Sequence, residues 1–177
     1  MSVKIGNIDL GEFPLLLAPM EDVSDPPFRA LCKKHGADVM YTEFISSEGL
    51  IRDAVKSVEK LDFFDYERPL AIQIFGHDID SMKQTTKICE KVNPDFIDIN
   101  YGCPVKKVTC KGAGAGILQD IPKMVSMTKD TLESTFKSGL LPIKRAPISC
   151  NNGISRGKLK GDIIATLPYG QRNPFAN

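Results

Sequence analysis

Four short apolar runs recur along this chain, beginning near positions 15, 39, 70 and 96, at intervals of roughly 25–30 residues. That interval is the length of one strand-plus-helix unit, so the spacing predicts an α/β protein with a parallel sheet. Leu15-Leu16-Leu17-Ala18 is apolar throughout, as buried parallel strands are. Val39-Met40-Tyr41-Thr42, Leu70-Ala71-Ile72-Gln73-Ile74 and Phe96 to Ile99 are the next three strands. Helix signals fall between them. Asp25 before Pro26 can cap a helix through Phe28, Leu31 and Cys32, which His35 and Gly36 end, and Ser47 can open one toward Val58. Asp78 caps a third, whose Ile79, Met82, Thr86, Cys89 and Val92 recur at spacings of three or four before Asn93-Pro94 stops it. A fourth covers Ile121 to about Leu132. No close sequence repeat accompanies this structural period.

The 177 residues, 42% of them hydrophobic, suffice for one ordinary core. No apolar stretch approaches the roughly 20 residues of a membrane span, and the N-terminus lacks the basic-then-apolar pattern of a secretory signal, so the expected location is the cytoplasm. The five cysteines are odd in number and lack the spacing of a disulfide framework, which favours reduced thiols. No CxxC pair is present, and no metal site is expected. The net charge of +1 conceals an asymmetry. From Thr135 onward seven basic residues face Asp162 alone, for +6, which leaves −5 on residues 1–134. Residues 139–177 hold five glycines, four prolines and four asparagines, and amphipathic periodicity fades there. Leu140-Leu141-Pro142-Ile143 and Ile163 to Leu167 have strand character, but no covering helix follows. The division is therefore 1–132, an α/β region, and 133–177, an irregular basic tail that is either solvated or in contact with nucleic acid.

Chemistry concentrates at the ends of the apolar runs. Asp98-Ile99-Asn100-Tyr101-Gly102-Cys103-Pro104 leads from a strand into a turn bearing an amide, a glycine and a thiol. A thiol with an ordinary pKa of about 8.5 donates a proton at neutral pH and becomes a nucleophile once deprotonated. Taken alone, a cysteine at such a position is more often packing. His35, at a helix end, and His77, at a loop start, read as surface residues, so a Cys-His hydrolase lacks its base. Gln73 and Asn100 end neighbouring strands with carboxamides that donate and accept together, which suits the edge of a heterocycle or a satisfied buried amide equally. Pro19-Met20 follows the first strand and offers backbone groups and a soft side chain to a flat ring, although such a methionine is more often packing. The run Lys111-Gly112-Ala113-Gly114-Ala115-Gly116 is no dinucleotide fingerprint, since Ile117 stands where the last glycine would fall. With Lys106 and Lys107 it is expected to bring backbone close to a large anionic partner, or else to be a solvated loop.

In order and spacing, Ala18-Pro19-Met20-Glu21-Asp22-Val23-Ser24-Asp25-Pro26-Pro27-Phe28-Arg29, Thr42-Glu43-Phe44, Gln73-Ile74-Phe75-Gly76, Asp98 to Pro104 and Gly112-Ala113-Gly114-Ala115 closely resemble the tRNA-dihydrouridine synthases over about residues 10–132. That resemblance implies a TIM barrel followed by a small helical domain, FMN as cofactor, NADPH as reductant and uridine in tRNA as substrate. It implies that Pro19 and Met20 contact the flavin, that Gln73 bonds its ring edge, that Asn100 helps hold uracil or flavin, and that Cys103 is the general acid. Arg29, Lys106 and Lys111 would lie near RNA or the site's rim.

The chain also departs from that family pattern. A (β/α)₈ barrel takes about 250 residues, and here there is material for four or five units, so the expected fold is the N-terminal half of a TIM barrel, incomplete, with an irregular basic C-terminal tail. Pro142-Ile143-Lys144-Arg145 is a shortened echo of the family's Val-Lys-x-Arg-like stretch, which makes Lys144 a further flavin-contact candidate. The later His-Gly-Arg segment, the glycine-rich strand ends for the FMN phosphate and the helical tRNA-binding domain are lacking. The composition change near residue 132 suggests a frameshifted continuation of a truncated gene, which translation of the other two frames tests; a half-barrel completed by a second copy competes with it. Open sheet edges predict oligomers or aggregates. The alternative to an active enzyme is a truncated, non-catalytic fragment that binds RNA weakly.

Overall fold

A computed structural model describes residues 2–135 and 163–166. The chain opens with an antiparallel hairpin, β1 (Lys4–Ile5) and β2 (Ile8–Asp9), turned at Gly6. α1 (Pro26–Lys34) starts as the sequence implies: the Asp25 side chain accepts from the Phe28 backbone N–H at 2.9 Å, and His35 caps the far end. β3 (Met40–Tyr41) and β4 (Ile45–Ser46) follow, then two short helices, α2 (Ser47–Leu50) and α3 (Val55–Glu59). β5 (Leu70–Phe75), α4 (Ile79–Lys91), β6 (Phe96–Asn100), α5 (Lys106–Thr109), α6 (Ile121–Thr135) and β7 (Ile163–Thr166), with 3₁₀ turns at Asp65–Glu67 and Gly114–Gln119, complete the described elements.

The sheet is parallel throughout, in the order β3-β5-β6-β7. β3 and β4 are two pieces of one edge: Met40 and Tyr41 pair with the start of β5, Ile45 and Ser46 with its end. Alternation of side chains divides the two central strands cleanly. Ile72, Ile74, Ile97 and Ile99 face the helices and bury with Met82, Cys89 and Met127, while Ala71 and Phe96 face the other way, with Tyr41, Val39 and Ile5. By the same period, Gln73, Asp98 and Asn100 lie on that second, inner face. The sequence order, the all-parallel pairing and the helical cover match the expected α/β layout. Among the described residues no helix is long and apolar enough to cross a membrane.

Three expectations change. The run at Leu15 is not a buried strand: only Leu16 forms a parallel bridge, to Val39, and Leu15 is 63% exposed. Leu16 is 45% exposed as well, whereas Leu17 is partly buried against the core cluster. The helix from Ser47 toward Val58 is broken, because Asp53 adopts a left-handed φ of 52° and Ala54 is extended, and Ser46 rather than Ser47 makes the cap. α6 extends beyond Leu132 to Thr135. The apolar run at Ile163 does form a strand, parallel to β6 with Ile97 opposite Ile163. Leu140 to Ile143 and Lys144 lie outside the described residues.

Candidate active site

Because the strands run in parallel, their carboxyl ends share one edge, the usual location of ligand sites in α/β folds. Met20, Thr42, Gly76 and the Asn100–Pro104 loop all follow strand ends there. At this edge the polar residues of the inner face are joined in a line. Gln73 Nε2 donates to the Asp98 carboxylate, Asn100 Nδ2 donates to Gln73 Oε1 at 3.0 Å, and Asn100 Oδ1 accepts from the backbone N–H groups of Gly102 and Cys103 at 2.9 and 3.0 Å. The last pair is an Asx-type turn, which converts the end of β6 into a fixed thiol loop. Thr42 Oγ1 accepts from the Gln73 backbone N–H at 3.1 Å, tying the β3 end to the same line. Gln73 and Asp98 are fully buried, and Cys103 is 8% exposed.

The loop is held from two further sides. Tyr101 is buried with its hydroxyl 2.7 Å from Thr128 Oγ1 on α6, and burial pushes its phenol up to about 12. The glycine run supports it from below: the Ala115 N–H donates to the Cys103 carbonyl at 3.0 Å, and Gly114, with φ at 52°, lies so close that a Cβ there would meet that carbonyl at 2.7 Å. The backbone that Gly114 and Gly116 admit is the chain's own, whereas Gly112 faces open space. Lys106, Lys107 and Lys111 on the same loop are exposed.

Other residues fall where the sequence did not place them. Arg29 is 2% exposed; its guanidinium pairs with the buried Glu67 carboxylate and donates to the carbonyls of Ser24 at 2.6 Å and Asp62 at 2.9 Å. It anchors the chain after the first strand and does not reach a rim. Pro19 and Met20 are half-buried at the carboxyl edge, where the Met20 N–H donates to Ser24 Oγ at 2.9 Å and the Ser24 N–H returns to the Met20 carbonyl at 2.9 Å. Nearby, Lys60 is paired with Glu21, stands 3.7 Å from Glu43 and lies over the Phe44 ring. His77 is half-buried with Nδ1 2.8 Å from Glu48 Oε1, and His35 caps α1, so neither is placed as a base for Cys103. Asp98 was not singled out from sequence. Its signal was present: in Phe96-Ile97-Asp98-Ile99-Asn100 the two-residue period puts the carboxylate on the amide's face. Burial first, and then the charge of Asp98, raises the pKa of Tyr41 on the neighbouring strand. Among the described residues no group of three histidines, cysteines or carboxylates could hold a metal ion.

Residues 16–137 match the family model for dihydrouridine synthase. The chain is 40% identical over 136 residues to a probable tRNA-dihydrouridine synthase of Aquifex aeolicus, covering 76% of this chain and 42% of that protein. Against tRNA-dihydrouridine synthase B of Pseudomonas putida it is 38% identical over 119 residues, covering 67% and 35%. For the enzyme of the same name from Pseudomonas aeruginosa the values are 30% over 165 residues, 93% and 47%. The chain thus spans between a third and a half of the length of these curated relatives.

Proposed function

The chain belongs to the dihydrouridine synthase family, and we propose from this that it carries the acid half of a flavin-dependent oxidoreductase site that reduces uridine to 5,6-dihydrouridine in tRNA, with FMN as cofactor and NADPH as reductant. The observation that carries the reading is the Asn100 turn, which holds the Cys103 loop beside a pair of strand-end carboxamides. The donor set suits a flavin ring: carboxamides donate and accept at a heterocycle edge, and Met20 and Pro19 border the same sheet edge with apolar surface. Gln73, Pro19 and Met20 would hold the ring, Asn100 would orient flavin or uracil, and Lys144 is a further contact candidate. When bound, FMN supplies a hydride to one carbon of the uracil double bond.

Cys103 does the rest of the chemistry assigned to this chain. The pyrimidine that has gained a hydride carries enolate-like negative charge, and the Cys103 thiol gives its proton to the other carbon. The surrounding loop, closed by Tyr101 and Gly114, limits the thiol's exposure to water. Lys106 and Lys111, exposed beside it, would meet the RNA backbone.

A second reading is a non-catalytic fragment that binds RNA weakly, supported by the exposed lysines Lys106, Lys107 and Lys111. Adding FMN to the purified 177-residue chain separates the two. Retained flavin absorbance after desalting, together with NADPH-dependent dihydrouridine formation in tRNA, supports the enzyme. A colourless protein that FMN cannot reconstitute ends that reading for this chain and leaves its family unchanged.

A further inference from the structure

The line of side chains from Asp98 to Cys103 has a direction imposed by chemistry. The backbone N–H groups of Gly102 and Cys103 can only donate, so Asn100 must turn Oδ1 toward them. Its Nδ2 then faces Gln73, which has to answer with Oε1, and this turns Gln73 Nε2 toward Asp98. At that position only an acceptor closes the line. Asp98 stands directly opposite Gln73 in the parallel register of β5 and β6 and accepts that hydrogen bond. The Gln73 backbone is pinned through Thr42, and its carboxamide donates to Asp98. Rotated by half a turn, that carboxamide would set its N–H groups against those of Asn100. Asn100 would then have to turn as well, and the thiol loop would lose its acceptor.

We infer that Asp98 is a positioning residue for Cys103: acting through Gln73 and Asn100, it sets which way both amides face and so holds the thiol loop at the end of β6. Its meaning for catalysis rests on Cys103 being the acid, whereas the relay involves protein atoms alone. Asp98 is fully buried and is linked to the loop through the two amides. Networks of this kind rigidify a site when every member is satisfied, and lose that rigidity when one end is removed.

Peptide-resolved alkylation of the native full chain by iodoacetamide tests this, with Cys32 on α1 as the reference thiol and thermal melts run in parallel. In Asp98→Leu, Cys103 should react about tenfold faster, the change expected from losing a buried hydrogen bond to a charged acceptor. Cys32 should keep its rate. Asp98→Asn retains an acceptor oxygen and should stay within about twofold of the wild type. If Asp98→Leu does not fold, Asp98→Ser, too short to reach Gln73 and able to admit water, carries the same expectation of a faster Cys103. A wild-type rate at Cys103 in Asp98→Leu or Asp98→Ser overturns the inference. So does an equal rise in Asp98→Asn, because accepting from Gln73 would then not be what matters. FMN titration of the same wild-type sample keeps the two readings apart: an unchanged flavin spectrum defeats the flavin site, while the alkylation rates still decide Asp98.

Discussion

The two ends of the sheet's inner face are built from the same strands and do opposite things. At the amino end Tyr41, Ala71 and Phe96 bury together with Ile5 of the hairpin, and the Tyr41 ring meets Phe96 edge-on with centroids 5.9 Å apart. Two residues further along the same strands, in the same side-chain register, stand Gln73 and Asp98, followed by Asn100. One end is closed by apolar packing, the other by a polar line in which each side chain meets a partner. Burying a carboxylate or a carboxamide is costly unless hydrogen bonds offset its lost hydration. The polar end is thus tolerated because its members satisfy one another, and the apolar end supplies the stability on which that arrangement rests.

The largest separation between the two ends is expected from Cys103→Ala. On the proposed function, uridine reduction should fall by about 10²- to 10⁴-fold, the usual contribution of a positioned acid, with little change in melting temperature. A large drop in melting temperature with no specific loss of turnover would make Cys103 a packing residue after all. At the other end, Phe96→Ala should cost about 3–5 kcal/mol in urea denaturation, as removal of a buried aromatic does, while FMN affinity of the folded protein stays the same. If affinity falls in step with stability, the two ends are not separable. Gly114→Ala tests the support beneath the thiol: with φ at 52° and a Cβ 2.7 Å from the Cys103 carbonyl, it should cost about 1–3 kcal/mol and quicken Cys103 alkylation.

The smallest effect concerns Tyr101. Its folded-state pKa is raised by burial from an ordinary 10.0 to about 12. Between those values the unfolded chain has lost the phenolic proton and the folded chain keeps it, so the stability this group contributes is complete below pH 10 and declines as pH rises toward 12. Tyr101→Phe should cost about 1 kcal/mol at neutral pH through the lost Thr128 bond. It should also flatten part of the alkaline slope in denaturation midpoints. An unaltered slope would show that Tyr101 is not shielded as described.

Local signals carried much of the fold. Asp25 and Asp78 cap the helices they precede, since a carboxylate one step before a helical pattern meets backbone N–H groups two or three residues on. Met82, Thr86 and Cys89 are all buried on α4, as their spacing requires. The candidate site was legible in outline: Gln73, Asn100 and Cys103 were chosen for their chemistry at strand ends, and parallel pairing brings the first two into contact and the third onto the same turn. Arg29 was misplaced because its partner Glu67 is 38 residues away, and no local pattern distinguishes a buried arginine from an exposed one. At Gly114 the close approach that a glycine permits is to the Cys103 carbonyl, a neighbour that only the fold brings there.

Periodicity, caps and turn residues are properties of neighbours along the chain, and they sufficed for the order of the main strands and helices and for the side of each central strand a residue occupies. Partnership across the fold is not such a property. That Asp98 faces Gln73, that Asn100 turns its oxygen toward Cys103 and that Leu15 remains uncovered depend on strand register and on what lies beyond each edge, because a hydrogen bond or a buried surface exists only when both of its sides are brought together in space.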